Sequence, residues 1–437
     1  MLDRTIAPPF SLPSEFYMLE ANKQVLKNGI PIYSIHAGSQ SLLRIEFIFY
    51  TGYCREVPHG KAFGGKEPYM GTSYFTSKMM SEGTKNFTSQ QFYEQLAQYG
   101  IFYEVDHEPY NTFFTFYVLK KYLKEVLPLI QEVFEKAIFP ANEWETIKKL
   151  TLQKLKIDLS KNDFIANRVF YETLFGTNHP VGKHIKESIV HQISIQDLID
   201  FYQEEIKDKL FDVIVAGAAD EEVKKILNDF FENAPLVRPT SYSSNPISNP
   251  SVSSEPIFIE KTESVQSSIR MGVKIIPKRH PDYIDLTILN TLLGGYFGSR
   301  LMKNIREDKG YTYGISSRLR AYPDEGCWII GTDVKKEYTQ PTLDEIRKEI
   351  KILQTELVSE EELDSVKNYL KGSMLGSIDT AFDLADKFRS IHLHRLEYDY
   401  YEKLYAAFDT ITSERLMGLA NQYLKEKDML TVIVGGR

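Results

Sequence analysis

Only two cysteines, Cys54 and Cys327, stand in 437 residues. Far apart in sequence, they cannot build a disulfide framework or a cysteine-rich zinc site, and both read as ordinary thiols of a reducing compartment. No apolar run approaches the ~18 residues that would cross a bilayer, so no membrane span is expected. Clustered basic charge is missing too. The 52 Lys and Arg are scattered among 60 Asp and Glu, giving a net charge of -8 and no electrostatic footprint for nucleic acid. The N-terminal stretch MLDRTIAPPFSLPSEF has acidic residues and prolines but no apolar core. It does not resemble a secretory signal, and cytoplasmic residence is the default expectation.

What is present is the composition of a globular protein, 42% hydrophobic and 26% charged, in a chain long enough for two domains. The Ser-, Pro- and Asn-rich stretch RPTSYSSNPISNPSVSSEP, residues 238–256, has linker composition and divides residues 1–237 from 257–437. Features recur in order on its two sides. The alternating run QSLLRIEFIF (40–49) is matched by QSSIRMGVKI (266–275), and both read as strands. IFPANEWETIKKLTLQKL (138–155) is matched by LVSEEELDSVKNYLKGSM (357–374), each a turn, acidic first positions and a helix. Both halves close on a helix feeding a β-branched strand that stops at glycine, at 193–217 and 411–436. The offset stays near roughly 220 residues throughout. A duplicated α+β domain follows. Mainly antiparallel sheets are expected because strands come in groups, as in IFYEVDHEPYNTFFTFYV (101–118), where two β-rich runs flank a turn-prone DHEPYN.

GTSYFTSKMMSEGT (71–84) reads as a short helix with a glycine stop at Gly83, and it carries Tyr74, Ser77 and Lys78 on one face. LLGGYFGSRLMKNIREDKGYTYGISS (292–317) is the most distinctive segment in the chain. Its Leu-Leu-Gly-Gly, read as a helix start, then Ser-Arg-Leu, Arg-Glu and Gly-x-x-Tyr resemble the C-terminal domain signature of the pitrilysin and mitochondrial-processing-peptidase family of zinc metalloproteases. The resemblance extends through Gly83-Thr84, LFGTNHPVGK (174–183) and the strand ending the first half.

The resemblance implies two tandem homologous α+β domains facing one another, each a sheet backed by helices. It places Tyr74, Ser77 and Lys78 where the family has its inverted zinc motif His-x-x-Glu-His, and Lys154 where a third ligand, a Glu, belongs. Two His four apart on a helix would hold zinc, and the Glu would activate its water. Lysine ammoniums have no lone pair and repel a dication, so no zinc is expected here. The family's substrate-holding Arg and Tyr fall on Arg306 and Tyr313, seven residues apart, with Gly294 and Gly295 bordering the substrate chamber. An Arg fork and a Tyr hydroxyl suit a peptide carbonyl or an oxyanion. Two readings stand: the zinc-less subunit of a two-subunit peptidase whose partner, in a heterodimer, supplies zinc (self-association being the other assembly), or a structural homologue with no part in proteolysis.

Other signals are set aside. GKAFGGK (60–66) begins like a phosphate loop, but Glu67 replaces its Ser or Thr. His392 and His394, two apart on a helix, give no chelating face. His107-Glu108 lacks the second His of a zinc motif because Asn111 stands there, and His179 before Pro180 reads as a turn residue. Cys54 has no neighbouring His to mark it as a nucleophile.

Overall fold

The computed structural model describes residues 13, 15–56, 69–232, 234 and 255–436. Most of the 238–256 linker, all of 60–66 and nearly all of the N-terminal stretch up to residue 14 lie outside the described residues. Strands β1 (Asn22–Val25), β2 (Pro31–His36), β3 (Leu42–Phe49), β4 (Phe102–His107), β5 (Thr112–Leu119) and β6 (Asp212–Gly217) form one sheet in the order β1-β2-β6-β3-β5-β4. Strands β7 (Ile257–Glu260), β8 (Gln266–Ile275), β9 (Thr312–Ala321), β10 (Gly326–Lys335) and β11 (Leu430–Gly435) form a second, ordered β7-β11-β8-β10-β9. Without the extra β1 edge the two orders are the same. In each sheet one pair is parallel, β2 with β6 and β7 with β11, and every other pair is antiparallel. The repeat read from the sequence is therefore a repeat of topology, and both the α+β class and the mainly antiparallel pairing hold.

Both long central strands were legible from their alternation. On β3, Leu43, Ile45, Phe47 and Phe49 point into a core shared with the first half's own helices. Arg44, Glu46 and Ile48 necessarily point the other way. A sheet buried on both faces needs a second cover, and the halves provide it reciprocally. Helix Ala381–His394 of the second half packs on β2 and β6, and helix Asn162–Phe175 of the first half packs on β8 and β11. Phe388 and Ile391 share a core with Tyr33, Ile35 and Ile214, while Phe170 and Leu174 share one with Ile329, Val432 and Val434.

The two crossings are chemical variants of one arrangement. Arg44 and Arg270 are the fifth residues of the matched runs that begin at Gln40 and Gln266, and each reaches the sixth residue of the exchanged helix. Arg44 pairs with Asp386 at 2.8 Å, and Arg270 Nε donates to Asn167 Oδ1 at 2.8 Å. Two residues further along the strands the copies diverge. Glu46 binds Arg389, the ninth residue of its helix, at 2.6 Å. Its counterpart Gly272 instead lies under the ring of Phe170, again the ninth residue, so close that a Cβ would sit 2.9 Å from it. An ion pair in one half thus stands where an aromatic ring over glycine stands in the other. A further tie has Tyr50 donating to Asp212 at 2.5 Å, with His392 of the exchanged helix on the same carboxylate. His392 is therefore a fastening between halves. His179 does similar work: it accepts from the Val181 N–H within its turn and pairs with Glu325 of the second half.

Two local expectations change. Helix Thr72–Met79 ends before Gly83, and the glycine answers a packing demand: a Cβ there would lie 2.5 Å from the Pro140 ring. The Leu-Leu-Gly-Gly run ends a helix rather than starting one. Gly294 leaves helical geometry at φ -161°, and Tyr296 is extended. Among the described residues no helix is long and apolar enough to cross a membrane.

Candidate functional site

Helix Thr72–Met79 is started by a buried acid. The Glu56 carboxylate accepts the N–H groups of Gly71 (2.9 Å) and Ser73 (2.6 Å) and the Ser73 hydroxyl (2.6 Å). This sets carboxyl oxygens against the orphan donors at the start of the helix. Gly71, at φ 101°, takes the left-handed turn that leads into the helix.

Tyr74, Ser77 and Lys78 do lie on one face, and local partners occupy all three. Buried Ser77 donates its hydroxyl to the Tyr74 carbonyl at 2.8 Å. Lys78 Nζ approaches the Val105 carbonyl on β4 at 3.4 Å and stands 5.9 Å from the centre of the Tyr74 ring. The Tyr74 hydroxyl is hydrogen-bonded to Thr151 of helix Ala141–Asp158, and burial raises its pKa, which keeps it a phenol. Lys154, one turn beyond Thr151, is exposed. Thr151, which the sequence did not single out, is the residue that this helix offers to the face. The donor set does not fit zinc: the serine hydroxyl is committed to the backbone, the tyrosine is a neutral phenol, and an ammonium lies beside them. Among the described residues no three His, Cys, Asp or Glu side chains gather as a metal group.

The sequence also missed a polar chain behind this face. Ser73 donates to Glu56, so the 2.8 Å contact with His107 Nε2 makes the imidazole the donor there. Among the described residues, His107 Nδ1 is then buried without a partner. Burial pushes the Glu56 carboxyl up to about 7, against the hydrogen bonds from Ser73 and Gly71. Burial, with the Lys78 ammonium nearby, holds the His107 imidazole down to about 3. Their stability effects have opposite signs. A carboxyl whose folded pKa exceeds its unfolded one stabilises the fold below about pH 4.5, and that contribution is lost as pH rises to about 7. A histidine depressed from 6.5 loses stability as pH falls from about 6.5 toward 3. Between about pH 4.5 and 6.5 the two slopes offset each other. Glu56→Gln removes one of them. The variant is expected to lose about 2–3 kcal/mol more than the parent on acidification across that window, read from urea unfolding at each pH. Parallel curves for the two proteins would refute the assignment. The thiols of Cys54 and Cys327 are pushed up to about 11 and about 12 by burial, as fits ordinary cysteines.

The second-half candidates occupy a different setting. Arg306 lies in the loosened helical segment Met302–Asp308, its guanidinium 4.5 Å from the centre of the Phe297 ring. Phe297 is itself 61% exposed, and Tyr313, second residue of β9, is 97% exposed. Among the described residues no hydrogen bond or ion pair joins Arg306 or Tyr313 to each other or to the Tyr74 face. Gly294 is buried, where a Cβ would lie 2.7 Å from the Ser317 Cβ of β9, so it serves close packing and does not line open space. Gly295 is exposed.

Comparison with known proteins accords with this geometry. Residues 64–185 match the family model for Insulinase (Peptidase family M16), and residues 192–370 match that for the Peptidase M16 inactive domain. The chain is 22% identical over 369 residues to "Uncharacterized zinc protease YmxG" of Bacillus subtilis (strain 168), covering 83% of this chain and 88% of that protein. It is 26% identical over 311 residues to "Non-peptidase homolog YmxG" of Helicobacter pylori (strain ATCC 700392 / 26695), covering 70% of each. In fold it is similar to the crystal structure of a peptidase M16 inactive domain from Pseudomonas fluorescens, with a TM-score of 0.84 at 21% identity over 96% of this chain and 99% of that one. With both family models matched in order along well over half of its length, and with the duplicated sheet topology, the chain belongs to the peptidase M16 family.

Proposed function

We propose that this chain is a non-catalytic M16 member that serves as the zinc-less subunit of a two-subunit metallopeptidase. The observation that carries the reading is the contrast between its two candidate sites. The Tyr74, Ser77 and Lys78 side chains each meet a neighbouring protein group, whereas Tyr313 stands almost fully exposed and Arg306 rests on the exposed ring of Phe297. The first arrangement is a filled site. The second is free to meet a peptide held by another subunit, with Arg306 gripping a carbonyl and Tyr313 donating to a developing oxyanion. The name of the Helicobacter pylori relative, a non-peptidase homologue, points the same way. The partner would be an M16 subunit with an intact His-x-x-Glu-His, and zinc would reside there.

A mixed peptide library tests this. No cleavage is expected from this chain alone, and the mixture with such a zinc-bearing relative should exceed that relative alone by at least about tenfold. Equal cleavage by the relative with and without this chain would leave only the structural-homologue reading.

A further inference from the structure

Two lysines approach each other in the second half with no acid set between them. Lys278 stands in the turn after β8, and Lys387 and Ser390, three residues apart, share a face of the exchanged helix Ala381–His394. Lys278 Nζ donates to Ser390 Oγ at 2.6 Å. It lies 5.1 Å from the centre of the Tyr400 ring and 5.6 Å from that of Tyr401, at the start of helix Tyr400–Thr410. Lys387 Nζ stands 5.1 Å from the centre of the same Tyr401 ring. Among the described residues neither lysine makes an ion pair. The acids nearest Lys387 along its helix are engaged elsewhere: Asp386 binds Arg44 and Arg389, and Asp383 accepts from the N–H and the hydroxyl of Thr380. Arg279, beside Lys278, pairs with Asp324. His394 adds no charge near neutral pH, since burial and the Lys278 ammonium hold its imidazole down to about 4.

Burial and the Lys387 ammonium bring the Lys278 amine down from 10.5 to about 8. Near neutral pH it therefore holds at least about a hundredfold more free amine than a solvated lysine, and a free amine is a nucleophile. Lys278 is half-buried, so a molecule as small as carbon dioxide reaches it. The surroundings favour an anionic product, because an acid is what this niche lacks. We propose that Lys278 is a site of reversible carbamylation by carbon dioxide. The amine lone pair attacks the carbon, an N–C bond forms, one C–O π pair moves onto oxygen, and the amine proton passes to solvent. A neutral amine and carbon dioxide thus become a carbamate anion and a proton. The new carboxylate lies within the field of the Lys387 ammonium, and Ser390, which now accepts from Lys278, can turn its hydroxyl to donate to it. The exchanged helix gains a further charged fastening, one set by dissolved carbon dioxide.

The proposal does not rest on the two-subunit reading, because it is tested on this chain alone. The full chain is equilibrated with 13C-labelled bicarbonate and carbon dioxide at about pH 8, and the carbamate is trapped as its ethyl ester with triethyloxonium and located by peptide mass spectrometry. Ester on Lys278 is expected at least tenfold above that on any other lysine. At fixed dissolved carbon dioxide it should rise between about pH 7 and 9, as the amine loses its proton. Lys278→Arg, whose guanidinium keeps its proton, should lose the carbamate resonance in the 13C spectrum. Lys387→Gln, which removes the counter-cation, should lower the Lys278 ester at least threefold. Ester spread evenly over the lysines, or an undiminished ester in Lys387→Gln, would overturn the proposal. A bicarbonate resonance broadened by the protein with no ester on Lys278 would overturn it too, by showing a noncovalent anion site.

Discussion

Glu46→Ala is expected to destabilise the full chain by about 3–5 kcal/mol, measured as a lowered urea midpoint, because it removes a buried acid on which two cations converge. Glu46 is 1% exposed and accepts from Arg44 and from Arg389, each at 2.6 Å. Thr115 adds a longer contact at 3.4 Å. Arg44 is itself buried, and among the described residues its Nε has no partner, so the loss of Glu46 leaves it, among them, Asp386 and the Phe382 carbonyl. The charge on Arg389 also fastens the exchanged helix. Glu46→Ala should therefore open the helix Ala381–His394 to protease before the rest of the molecule. Glu46→Gln keeps the shape and one carbonyl oxygen able to accept from both arginines, as Oε2 does now, and should lose less. A midpoint unchanged by the alanine would mean that the apolar packing of Phe388 and Ile391 alone holds the halves together.

Arg306→Ala is expected to lower the kcat/KM of the assembled two-subunit enzyme by about 10²-fold, because the charge-assisted grip that aligns the substrate carbonyl is lost. Assembly itself should survive, since Arg306 packs on an exposed phenylalanine and contributes little to the core. Tyr313→Phe removes only a hydroxyl from an almost fully exposed ring, so stability should not change, and a fall in kcat without a rise in KM would mark it as a group acting in the transition state. Undiminished kcat/KM in Arg306→Ala, with assembly confirmed by size-exclusion chromatography, would remove the clamp role.

Much of the candidate site could be read from the chain because helical spacing is local. Tyr74, Ser77 and Lys78 share a face for any helix drawn through them, and their chemistry already spoke against a metal. Their partners were not readable. Thr151 meets Tyr74 in place of Lys154 because of how one helix lies across another, and Glu56 reaches the start of the helix from a turn fifteen residues before Gly71. His107 was weighed only as part of a failed zinc motif, although the β4 register sets it against Ser73.

The sequence by itself determined the duplication, the strands β3 and β8, the β4–β5 hairpin and the closing helix-strand units, since each depends on side-chain periodicity and turn residues within a short window. Tertiary structure alone decided which sheet each amphipathic helix would cover. The patterns of Asn162–Phe175 and Ala381–His394 require an apolar partner and do not say whose. The two-sided burial of β3 and β8 resolves the matter, because each sheet's second face is complete only when the other half lends its helix. That exchange turns Arg44, Glu46, Asp212 and His392 from scattered charges into fastenings.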